Sequence, residues 1–111
     1  GFRPPFPNPG YWMYAGDAPI VHISPSDPGS PARSNPDGMG DGVDHFAMWG
    51  SGLADQIAAL ERHGIEYHKQ LVGGGKVVQL FFKDPNGARI ELGFDPKAEG
   101  VTAENFDGDV W

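Results

Sequence analysis

With 111 residues, 17 of them glycine and 11 proline, the chain is one domain in length, rich in turns and poor in long helices. Its net charge of −7 gives it no electrostatic reason to bind nucleic acid or an anionic membrane, and no apolar run approaches the roughly 18 residues of a membrane span. It has no cysteine, which excludes disulfides and thiolate ligands, so any metal must rest on histidine, carboxylate and water; the default compartment is the cytoplasm.

Residues 1–10, GFRPPFPNPG, hold four prolines and are expected to form neither a helix nor a central strand. Tyr11–Ala15 and Pro19–Ser24 flank Gly16-Asp17 and read as a hairpin. Side chains alternate along a strand, so Ile20, His22 and Ser24 share one face and Val21 and Ile23 the other. Ser24 to Asp41, SPSDPGSPARSNPDGMGD, is almost without apolar side chains and reads as a solvated linker between two halves.

Gly42–Gly50 follows as a strand with His45 in its middle. Alternation groups Val43, His45, Ala47 and Trp49 against Phe46 and Met48. The period then changes, because Leu53, Ile57 and Leu60 recur at helical spacing. Ser51 is the expected cap of that helix, with Asp55 in its first turn and Gly64 ending it. His63 reads simply as a polar residue near the last carbonyls.

Three strands complete the unit. Glu66–Leu71 leads through Gly73-Gly-Gly75 into Val77–Lys83, where Val78, Leu80 and Phe82 oppose Gln79 and Phe81. Asp84-Pro-Asn-Gly87 is a turn signal. In the strand ending at Phe94, Ile90, Leu92 and Phe94 make an apolar face, and Glu91 points the other way with Arg89 and Gly93. If the two apolar faces pack on the one helix, His45 and Glu91 emerge together on the opposite side. An imidazole and a carboxylate on one wall are donors suited to a divalent metal. Residues 95–111 read as an acidic, irregular surface tail, with Phe106, Val110 and Trp111 as its anchors.

The β-α-β-β-β order of residues 42–94 opens on Val43-Asp44-His45 and closes on Asp84-Pro-Asn-Gly87 followed by Ile90-Glu-Leu92. This combination resembles the second module of the vicinal oxygen chelate superfamily, which includes glyoxalases, bleomycin-resistance proteins and extradiol dioxygenases. The resemblance implies an α+β fold of one domain. In it, residues 1–24 form a partial first module with the hairpin at 11–24, 25–41 the linker, 42–94 the βαβββ module and 95–111 the C-terminal tail. The family's opening strand and helix have no counterpart before Gly1, so a fourth ligand has no candidate.

By position, the resemblance implies that His45 and Glu91 are metal ligands, with His22 as the third at the place where isomerase-type members carry a Glu or Gln that serves as ligand or base. The ion is Zn, Ni, Mn or Fe, and Glu91 is alternatively the catalytic general base. Trp12, Trp49, His68, Gln79 and Phe81 are the candidate substrate-binding residues. A metal-dependent lyase, isomerase or transferase acting on a small oxygen-rich substrate is the first reading. A dioxygenase fits less well, because in that branch all three ligands come from one module. The alternative is a non-catalytic binder of the bleomycin-resistance type, which suits the aromatic residues. An uncovered hairpin is marginal in water, and an unpaired strand edge invites another chain, so a homodimer is expected.

Overall fold

The structure is a computed structural model that describes residues 10–23 and 43–111. The chain divides into two compact units, Gly1–Ser34 and Asn35–Trp111. The expectations for residues 1–9 and for the linker at 25–41 lie outside the described residues.

In the first unit, β1 (Tyr11–Ala15) pairs antiparallel with β2 (Ala18–Ile23) across the Gly16-Asp17 turn, which is the hairpin read from the sequence. The register sets Tyr11 against Ile23, Trp12 against His22 and Met13 against Val21, then shifts between Met13 and Tyr14. Gly16 takes φ +61°, a left-handed value that only glycine adopts without strain.

The second unit runs β3 (Phe46–Trp49), α1 (Leu53–Arg62), β4 (Tyr67–Val72), β5 (Val77–Lys83), β6 (Arg89–Phe94), α2 (Pro96–Glu99) and β7 (Asp109–Val110). It is an α+β unit whose first five elements follow the βαβββ order. The five strands lie in the order β3-β6-β5-β4-β7. β3 runs parallel to β6 and β7 parallel to β4, and the other pairs are antiparallel.

Helix α1 begins differently from expectation. Ser51 is not its cap: the N-cap is Gly52, at φ 79° and without a side-chain bond of its own. The free amides are taken instead by Glu99 of α2, whose two carboxylate oxygens accept from Gly52 N (2.8 Å) and Leu53 N (3.0 Å). A carboxylate there also complements the positive end of the helix dipole. The other end follows the sequence. Gly64 turns left-handed, Ile65 N donates to Leu60 O and Gly64 N to Glu61 O, the paired bonds of a glycine-terminated helix. Tyr67 at the start of β4 donates its hydroxyl to Glu61 (2.7 Å), and that bond raises the phenol above its ordinary pKa.

The core lies between α1 and the sheet. It consists of Leu53, Leu60, Leu71, Val78, Leu80 and Phe94, with Ile57, Tyr67, Phe82, Leu92, Val101 and Phe106 packed around it. Phe46 and Met48 align with Ile90 and Leu92, as alternation requires. They do not share the helix, however, for they remain 40% and 52% exposed. One helix about 10 Å across covers only two or three strands spaced about 4.8 Å apart. α1 packs over the centre of the sheet, which leaves the edge strand β3 outside its reach.

The segment 95–111 corrects the expectation of an irregular tail. Asp95 caps α2 by accepting from Lys97 N, Pro96 opens the helix and Gly100 closes it at φ 68°. Thr102 and Asn105 then bond each other across a turn. β7 follows as a fifth strand, and Trp111 N donates to Leu71 O at 2.8 Å. Of the three expected anchors only Phe106 is packed against the core; Val110 and Trp111 keep exposed side chains. Glycine is required at 108, because a Cβ there would lie 2.9 Å from Lys69 O and 2.8 Å from the Phe106 ring.

Among the described residues, no helix is long and apolar enough to cross a membrane.

Candidate functional site

The face of the sheet away from α1 is set by register. Cross-strand partners share a face, so the pairs Ala47–Glu91, Trp49–Gly93, Phe81–Glu91, Gln79–Gly93, His68–Phe81 and Gln70–Gln79 place all of these residues on one side. His45 stands just ahead of β3 rather than in the middle of a strand, since β3 begins at Phe46. It still reaches this face: His45 Nε2 lies 3.7 Å from Glu91 Oε1. The Glu91 side chain is 16% exposed and that of His45 33%. Both are sheltered but open to a small molecule.

Phe81 is at the centre and is nearly covered, at 9% exposure. His45 meets it edge-on at 6.1 Å, His68 lies roughly parallel at 6.4 Å, and the Arg89 guanidinium carbon stands 4.5 Å from its centroid. Phe81 is thus a floor beneath polar side chains, not a free aromatic wall. Trp49 is the exposed aromatic of this face. Its indole extends over Gly93, where a Cβ would lie 3.2 Å from the ring.

The remaining candidates are distributed as follows. Gln79 accepts from Gln70 Nε2 at 2.6 Å, so its amide oxygen is already engaged. His68 Nε2 lies 3.4 Å from Asp109 Oδ2, an exposed pair created by the docking of β7. His22 and Trp12 belong to the first unit, where they stack at 4.1 Å with an interplanar angle of 8°. The second unit therefore brings together His45, Glu91, Phe81 and His68, with Trp49 and Gln79 farther along the same face.

Asp44 was absent from the sequence expectation. Its Oδ2 lies 2.6 Å from His45 Nδ1 and accepts from Arg89 Nη1 at 3.1 Å. Alternation points the other way, because it sets Asp44 on the face opposite His45; β3 begins only at Phe46, so Asp44 lies ahead of the strand and reaches Arg89. Asp109 had no signal in the sequence, because a two-residue strand carries no periodicity.

The donor types at His45 and Glu91 suit a divalent ion. Two atoms that each bond one ion at about 2.1 Å stand at most about 4.2 Å apart, and 3.7 Å lies inside that bound. Two donors are what this face supplies: among the described residues, no group of three or more His, Asp or Glu side chains is arranged around one cation.

Fold and face together define an α+β protein whose βαβββ unit presents a histidine–carboxylate pair on the open side of its sheet. No protein-family model matches the chain, and no curated protein matches it. Among solved structures, a Bacillus anthracis protein provisionally placed in the glyoxalase family is similar over 79% of this chain, at 24% identity and a TM-score of 0.43. The chain spans 63% of that protein's length.

Proposed function

We propose that the protein belongs to the vicinal oxygen chelate superfamily and acts on a small oxygen-rich molecule at the open face of its second unit. His45 and Glu91 hold a divalent cation in this reading. The observation that carries the reading is the 3.7 Å approach of His45 Nε2 to Glu91 Oε1 from elements 46 positions apart (91 − 45) in the sequence. When bound, a cation of the Zn, Ni, Mn or Fe type supplies Lewis-acid polarisation of substrate oxygens. As an alternative to ligation, Glu91, more sheltered than His45, takes a proton from the substrate as a general base. Phe81 and Trp49 supply the apolar floor and rim against which a small molecule would lie. The reaction class is lyase, isomerase or transferase, in preference to oxygenase.

Elemental analysis of protein purified without chelator, then reconstituted with zinc, nickel or manganese, tests this reading. Stoichiometric metal is expected. Protein that takes up none of the three ions overturns it in favour of a second reading, a non-catalytic binder of aromatic molecules. That second reading is favoured by the exposed Trp49 indole and by the two-donor character of the face.

Association as a homodimer belongs to the same proposal. β3 is an edge strand of the sheet, and Phe46, Met48 and Trp49 on it are all exposed. An uncovered apolar edge strand is a surface on which a second chain gains burial and backbone hydrogen bonds. Light scattering at micromolar concentration should give twice the chain mass; a monomer would count against the dimer.

A further inference from the structure

Asp44, just ahead of β3, carries no role in the reading above. One of its oxygens, Oδ2, is shared between His45 Nδ1 at 2.6 Å and Arg89 Nη1 at 3.1 Å. Arg89 comes from β6, the strand that carries Glu91, and its guanidinium is laid against the covered ring of Phe81 from β5. Asp44 is therefore braced across the sheet, and its charge is balanced by the guanidinium. The contact with His45 also has a chemical consequence. An ionised carboxylate accepts hydrogen bonds and cannot donate them. A separation of 2.6 Å thus calls for the proton on Nδ1, which in a neutral imidazole leaves the lone pair on Nε2. Nε2 is the atom turned toward Glu91. The opposite tautomer would set a lone pair against a carboxylate oxygen at hydrogen-bond distance.

We infer that Asp44, braced by Arg89 on Phe81, is a positioning residue that holds His45 as its Nδ1–H tautomer. The Nε2 lone pair and the Glu91 carboxylate then face each other as two acceptors with a gap between them. Such a pair is completed by an electrophile: a divalent cation, or a proton in transit from substrate. A carboxylate that takes the distal N–H of a ligating histidine fixes both its ring orientation and its basicity. The identity of the electrophile rests on the proposed function; the tautomer does not.

Long-range ¹⁵N–¹H correlation spectra of ¹⁵N-histidine-labelled, metal-free protein test the tautomer directly. At about pH 8.5, well above the ordinary imidazole range, His45 should show the Nδ1–H pattern, its signals identified by their loss in His45→Ala. In Asp44→Ala the pattern should move to Nε2–H, and in Arg89→Met it should move part of the way. Zinc affinity of Asp44→Ala should fall about 10–100-fold. A wild-type His45 that is Nε2–H or doubly protonated overturns the inference, as does a tautomer unchanged in Asp44→Ala. Protein that keeps the Nδ1–H tautomer but takes up no cation would leave this inference standing and remove the metal reading instead. The Asp44 side chain is 46% exposed and outside the core, so its replacement should leave the fold intact, and the backbone amide spectrum of the same sample checks this.

Discussion

Phe94→Ala should destabilise the second unit by about 3–5 kcal/mol, the usual cost of deleting a fully buried aromatic ring. Phe94 is 1% exposed and closes the core where β6 ends. Its ring also lies against Gly50, where a Cβ would stand only 3.0 Å away, so the turn from β3 into α1 is moulded on it. Domains of this kind have about 5–15 kcal/mol in total, and a loss of this size should lower the midpoint of thermal unfolding by at least about 12 °C. Phe46→Ala is the matched control. It removes the same ring from the same side of the sheet, but at an edge position that α1 does not cover, and should cost less than about 1 kcal/mol at a concentration low enough that the proposed β3 dimer has dissociated. Equal losses in thermal melts of the two variants would mean that something buries β3 as thoroughly as α1 buries β6.

His45→Ala should reduce zinc affinity at least about 100-fold. Loss of an outer-shell partner alone costs about 10–100-fold, and here a ligand itself is removed. Its removal also leaves Asp44 and Glu91 without the imidazole that separates them. Glu91→Gln should have an effect of the same order, because an amide oxygen is a weaker donor and brings no charge to offset that of the cation. His68→Ala is the discriminating control. His68 shares the floor of Phe81 but faces Asp109, on the side toward β7, and its loss should leave zinc binding unchanged. Calorimetric titration of dialysed protein reads all three. Wild-type affinity in His45→Ala would place the cation elsewhere, and equal losses in His68→Ala and His45→Ala would show a general disturbance of the face.

Much of this molecule was legible residue by residue. The order β3-α1-β4-β5-β6 follows from where apolar residues recur at two and where at three to four positions, and from glycines and prolines that punctuate the changes. Alternation alone was enough to set Glu91 and Arg89 against Ile90 and Leu92, and to set Phe81 apart from Leu80. The helix stop at Gly64 is a local matter of backbone conformation, and so was equally readable.

Other features depend on partners far away in the chain. The cap of α1 comes from Glu99, 47 positions beyond Gly52, so the nearby Ser51 was a reasonable expectation that tertiary packing overrode. β7 has two residues and exists because β4 offers it an edge; no periodicity can announce a strand that short.

What the sequence determined by itself is therefore the set of elements and the direction each side chain takes from its strand or helix, because those are fixed by backbone geometry within a few residues. What only the tertiary structure decided is which strand lies beside which, how far one helix reaches across five strands, and that Asp44, His45, Arg89 and Glu91 converge. Those depend on distances between segments remote in the chain, and they arise only when the segments compete for one another's surfaces.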